Sequence, residues 1–138
     1  MSPIRPIILL AFALATTSLF AADSDNFYRG KTVRIIVGLA AGGGYDLYAR
    51  TLARHMGKHI PGNPAIVVEN MTGAGSIIAA NYLYKVARPD GLTIGHYLGG
   101  IALQQLLGKS GIEFDALKFR YIGVPHKSKG TLPRLIIS

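Results

Sequence analysis

Apolar positions along this chain follow two alternating rhythms. From Thr32 to Gly38 the interior residues Ile35, Ile36 and Val37 are apolar without alternation, which predicts a strand covered on both faces. After Gly42-Gly43-Gly44, the residues Tyr45, Tyr48, Ala49, Leu52, Ala53 and Met56 recur at three-and-four spacing, predicting a helix from about Tyr45 to Gly57 with Arg50 and Arg54 off its apolar face. Two prolines and a glycine in Ile60-Pro61-Gly62-Asn63-Pro64 stop that helix, and Ala65 to Glu69 reads as a second strand. A second glycine loop, Asn70 to Ser76, leads into Ile78, Ala79, Tyr82, Leu83 and Val86 at helical spacing. The turn Arg88-Pro89-Asp90-Gly91 precedes a third strand, Leu92 to Tyr97, then Gly99-Gly100 and a short helix, Ile101 to Leu107. Ahead of all this, Asp23 to Lys31 reads as a polar, extended stretch whose Phe27 and Tyr28 pack onto the first strand.

Three consecutive strand-to-helix steps predict an α/β fold with a parallel sheet and right-handed crossovers. The loops after the strands then open on one edge of the sheet, where ligands bind in open α/β sheets. Two of those loops are rich in glycine, whose freedom at positive φ lets backbone N–H groups converge, and each precedes a helix whose first turn adds unpaired donors and the positive end of its dipole. That combination suits an anion. The candidate ligand-binding residues are therefore Gly42, Gly43, Gly44, Tyr45 and Asp46 in the first loop, Gly73, Ala74, Gly75 and Ser76 in the second, and Gly99 and Gly100 in the third. Plainer readings stand beside this one: the glycines merely turn the chain, Asp46 caps the first helix, and Ser76 caps the second instead of donating its hydroxyl to a ligand.

The first two dozen residues read differently. Arg5 precedes an apolar run from Ile7 to Ala15, and Ala21 and Ala22 supply small residues for cleavage, as in a secretory signal peptide occupying residues 1–22. That run is shorter than the roughly 20 residues that span a bilayer, which disfavours an uncleaved anchor. Export from the cytoplasm is expected. With no cysteine in its 138 residues, the chain has neither disulfides nor a lipid-anchoring thiol, so its fold rests on its core. The formal charge of +8 is unevenly spread: residues 124–138 hold Lys127, Lys129 and Arg134 with no acid, leaving the body mildly basic. Mild positive charge suits small anions as well as plain solvation. Basic residues scattered singly, with no aromatic interleaving, argue against nucleic acid as a partner.

Catalytic and cofactor chemistry finds little support. The first loop has phosphate-loop spacing from Gly38 to Gly43, but Gly44 and Tyr45 stand where Lys and Ser or Thr are required. Gly73-Ala74-Gly75-Ser76-Ile77-Ile78 begins like a dinucleotide fingerprint, with Ile78 where a small residue is needed. His55 and His59 lie four apart near a helix end without further ligands, which reads as dipole complementation and not as a metal site; His96 and His126 stand alone. No nucleophile elbow, no cysteine and no acid pair is present, so neither an enzyme nor a cofactor is expected. Tyr82 reads as a packing residue and Tyr84 as a surface one.

Lys31-Thr32-Val33-Arg34-Ile35-Ile36-Val37, Gly42-Gly43-Gly44-Tyr45-Asp46 with Ala49-Arg50, Val67-Val68-Glu69-Asn70, Gly73-Ala74-Gly75-Ser76 and Pro89-Asp90-Gly91 together resemble the Bug-type extracytoplasmic solute receptors of the tripartite tricarboxylate transporter family. The likeness runs from about Phe27 to Gly123, where Phe114-Asp115 and Phe119-Arg120-Tyr121-Ile122-Gly123 resemble the approach to that family's interdomain crossing. It implies a three-layer, parallel-sheet lobe of a type II periplasmic binding protein. It also implies a small-molecule carboxylate as ligand, gripped by the two glycine loops and handed to membrane subunits of a tripartite transporter. The chain departs from the family at Ala40-Ala41, where relatives usually carry a proline, and after Gly123.

These readings divide the chain into residues 1–22 as signal peptide, 23–123 as an N-terminal lobe and 124–138 as a basic tail outside the family pattern, with the second lobe missing. A premature end or a shifted reading frame accounts for that pattern. A lobe without its closing partner is expected to bind weakly and to expose apolar surface, with marginal stability. Two alternatives remain: a small exported α/β protein that binds a nucleotide or phosphate ester in the same crevice, and a non-functional remnant.

Overall fold

The computed structural model describes residues 27–125 and 134–137. The expected signal peptide and most of the basic tail lie outside the described residues. Five strands form one sheet: β1 (Thr32–Val37), β2 (Ala65–Asn70), β3 (Thr93–Tyr97), β4 (Arg120–Gly123) and β5 (Arg134–Ile137), in spatial order β2-β1-β3-β5-β4. β2, β1 and β3 run parallel, and β5 pairs antiparallel with both β3 and β4. Among the described residues the α-helices are α1 (Gly44–Met56), α2 (Ile77–Lys85) and α3 (Ile101–Leu106). No helix among the described residues is long and apolar enough to cross a membrane.

The apolar run in β1 is explained by its place near the middle of the sheet. Val33, Ile35 and Val37 face α1, packing with Ala49 and Ile94, while Ile36 faces the other way into a cluster with Ile77, Leu83, Tyr97 and Ile101. Helices therefore cover both faces, giving three layers. β3 is buried at every position, as its place between two partners demands. Arg34, the polar residue in β1, forms a two-pronged pair with Glu69 of β2, at 2.7 Å from Nε to Oε1 and 2.6 Å from Nη2 to Oε2, and also donates to the Tyr82 hydroxyl of α2 at 3.0 Å. One guanidinium thus ties two strands to the helix above them.

Three expectations need correction. Residues 27–30 form a turn instead of an extended stretch, and only Tyr28 packs against the core, while Phe27 is exposed and stacks edge-on against Tyr28. Tyr84 is half-buried, its ring set edge-on to Phe119 at 5.9 Å. The sheet is mixed and not purely parallel, because residues 134–137, read as part of a tail, enter it as β5.

Ile136 of β5 is completely buried in the cluster with Ile36, Leu83 and Tyr97, whereas Leu117, on a short 3-10 turn outside the sheet, is 93% exposed. Ile136→Ala is expected to cost about 2–4 kcal/mol of unfolding free energy in a urea titration, against little for Leu117→Ala. Equal effects from the two would show that β5 does not belong to the core.

Candidate functional site

The loops after β1, β2 and β3 meet at one edge of the sheet. Leaving β1, the chain passes Leu39 and the exposed Gly42 and Gly43 before α1 begins at a third exposed glycine, Gly44. No side chain caps α1, and the N–H groups of Gly44, Tyr45 and Asp46 have no partner among the described residues. Three donors and a helix dipole are thus left unanswered at the rim.

Asp46 has a different role from the expected cap. Its buried carboxylate accepts from the Gly42 N–H at 2.9 Å and from Arg50 Nε at 2.9 Å through Oδ2, and from Asn70 Nδ2 at 3.0 Å through Oδ1. Asn70, the last residue of β2, also donates to the Leu39 carbonyl at 3.0 Å and accepts from Arg50 Nη2 at 3.2 Å. The carboxylate therefore shapes the glycine loop from beneath and fastens it to the neighbouring strand. The bonds from Arg50 and Gly42 hold its pKa down to about 2.

The second loop is wound left-handed. Gly73, Ala74, Gly75 and Ser76 have φ of 136°, 47°, 64° and 75°, a conformation that costs about 1–2 kcal/mol at each residue bearing a Cβ. Ser76 is fully buried; its hydroxyl donates to the Gly38 carbonyl at 3.2 Å and accepts from the Leu98 N–H at 3.4 Å. It caps neither helix, and it joins the ends of β1 and β3 to the start of α2. Gly38 is what allows this approach, since a Cβ there would lie 2.6 Å from the serine oxygen. The N–H groups of Ala74 and Gly75 have no partner among the described residues.

The structure thus brings Gly42 to Asp46 and Gly73 to Ser76 to one rim, with Gly99 and Gly100 following β3 beside them, joined through Ser76 and Leu98. The side chains of Asp46 and Ser76 are engaged within the scaffold. Sequence reasoning missed four residues here. Gln104 and Lys109 stand over the second loop, each with a polar atom 3.8 Å from where a Gly75 Cβ would sit, and hydrogen bond to one another at 3.0 Å. Asn70 was legible only as a loop residue, although an amide at the end of a strand beside a glycine turn is a signal for bridging. His96, at the end of β3, is fully buried. Burial holds its ring well below the usual histidine range, at about 4, opposed in part by the polar backbone of Tyr45 beside it, although neither ring nitrogen is in good hydrogen-bond geometry with a partner among the described residues. No cluster of three metal-ligating side chains occurs among the described residues.

No family profile matches the chain. It is 33% identical over 94 residues to a Bordetella pertussis protein named BugT, covering 68% of this chain and 28% of that protein. It is 37% identical over 89 residues to a Cupriavidus necator protein, "UPF0065 protein in gbd 5'region", covering 62% of this chain and 26% of the relative. Among solved structures, one titled as a periplasmic transporter superposes with a TM-score of 0.61 at 30% identity, over 70% of this chain and 32% of that one. The periplasmic binding protein BugD superposes with a TM-score of 0.51 at 35% identity, over 56% and 25% of the two chains. A TctC solute-binding protein from Polaromonas does so at 0.57 and 27% identity, over 69% and 31%. The chain spans about a quarter of the length of the curated relatives it matches.

Two buried groups that titrate in acid, His96 and Asp46, set an acid limit on this rim. His96 binds its proton near pH 4 in the folded chain against 6.5 in the unfolded one, so the unfolded state takes up more protons and stability falls as pH drops between those values. Asp46, depressed from 3.8 to about 2, adds a second loss in that lower window. Urea unfolding across this range is expected to show two descending steps, with His96→Leu abolishing the upper and Asp46→Asn the lower. A pH-independent midpoint would refute the burial of both.

Proposed function

We propose that this chain, a Bug-type receptor sequence of the tripartite tricarboxylate class over the part of the family's length it spans, is a periplasmic solute-binding protein that captures a small carboxylated metabolite. The observation that carries this reading is the uncapped start of α1, whose Gly44, Tyr45 and Asp46 N–H groups stand unpaired at an exposed rim. A carboxylate oxygen accepts from such donors and is favoured by the dipole behind them. The Ala74 and Gly75 N–H groups supply the second side of the cradle, and the Lys109 ammonium near Gly75 adds positive charge there.

In this reading the left-handed second loop is strain kept for binding, because it turns donors toward the rim that an ordinary turn would use internally. The Asp46 carboxylate already accepts three bonds and is held ionised, so it is engaged in the scaffold and is not free to act on a ligand. The role is capture without chemistry, followed by delivery to membrane subunits of a transporter. Binding energy comes from one open rim, so millimolar affinity is the appropriate scale, about 4 kcal/mol.

Amide NMR of the protein titrated with succinate, and separately with adenosine monophosphate, tests this. Succinate is expected to move the Gly43, Gly44, Tyr45 and Gly75 amides. Asp46→Ala, which frees Gly42 and Asn70 from their common acceptor, is expected to weaken succinate by about tenfold or more. Shifts confined to the nucleotide titration would replace the carboxylate reading with a phosphate-ester one, and no shift with either would leave the rim without a binding role.

A further inference from the structure

His96 is completely buried, yet neither of its ring nitrogens has a hydrogen-bond partner among the described residues. A neutral imidazole carries one donor and one acceptor, and leaving either dry costs roughly 1–3 kcal/mol. The sheet face it occupies is otherwise apolar, formed by Val37, Ala49 and Ile94, so packing alone would be served better by leucine. Such a group calls for a partner beyond those the described residues supply.

Its position indicates where that partner enters. The imidazole centre lies 5.1 Å from the Tyr45 ring, and Tyr45 is the second residue of α1, between two residues whose N–H groups are unpaired. An unsatisfied buried ring and an uncapped helix start therefore converge on one place from opposite sides. Tyr45 is half-buried and follows three exposed glycines, and a Cβ at Gly42 or Gly44 would meet no atom within 4 Å. The Tyr45 ring packs against the cluster of Val37, Ala49 and Ile94, and the loop that precedes it is open.

We infer that His96 is a ligand-contacting residue of this rim: the ligand's acid group, seated on the Gly44 and Tyr45 N–H groups, displaces the Tyr45 ring and accepts a hydrogen bond from the imidazole. The inference rests on the carboxylate-receptor reading and deepens it by naming the side chain that reads the ligand. The ligand class it selects is a compact acid head, because the imidazole is fully buried beside the Tyr45 ring. The neutral ring donates through one nitrogen, and no proton is transferred.

The test is nitrogen NMR of the histidine rings in the protein, titrated with acetate, succinate and citrate. At least one of these acids is expected to move the His96 ring nitrogens together with the Gly44 and Tyr45 amides, while the exposed His55 and His59 serve as references. Movement of the amides with His96 unmoved overturns this inference and leaves the carboxylate reading standing. No movement at either place with any of the three acids overturns both. His96→Leu supplies a second readout: it is expected to raise the thermal midpoint, by removing the unpaired ring, while weakening the acid by about tenfold or more. Unchanged affinity in that variant overturns the inference whatever happens to the midpoint, and a variant that does not fold leaves the decision to the ring nitrogens of the unsubstituted protein.

Discussion

The rim of this lobe depends on one buried carboxylate. Asp46 accepts hydrogen bonds from the glycine loop that precedes its helix, from an arginine one turn further on and from an asparagine on the neighbouring strand. Every other feature of the first loop follows from that choice. Because the carboxylate turns back to Gly42 and sideways to Asn70, it does not cap α1, and the helix start stays open. A side chain that did cap it would satisfy the same donors that make the rim useful.

Ser76 does for the second loop what Asp46 does for the first. Its hydroxyl lies between the ends of β1 and β3, so the left-handed turn before α2 is pinned to the sheet at its last residue. Rigid attachment matters because donors act on a ligand only when they are held in place before it arrives. Two polar side chains that look like ligand contacts in the sequence thus serve as fastenings for the backbone of the two loops.

Much of the fold was legible in residues whose pattern reflects local structure. The unbroken apolar run of β1, the three-and-four spacing of α1 and the proline-glycine interruption after it each report burial or backbone geometry set within a few residues. β4 and β5 were not legible, because Arg120-Tyr121-Ile122-Gly123 and Arg134-Leu135-Ile136-Ile137 are too short to carry a period, and their pairing is a long-range event. The placement of the glycine loops on one edge followed from parallel topology, whereas the roles of Asp46 and Ser76 depended on partners at 24 and 38 positions' separation. His96 was invisible for the same reason: a lone histidine in a strand signals nothing until the helix above it is seen.

The place of β5 bears on the order of events in folding. It lies between β3 and β4, although it follows both along the chain, so residues 134–137 must be present before the sheet can close. While a ribosome still holds that segment, β4 has no neighbour and Ile36, Leu83 and Tyr97 lack one wall of their cluster. Completion of the domain is thereby postponed until synthesis has passed this point, because the segment with which β3 and β4 both pair is the last of the five strands to be made.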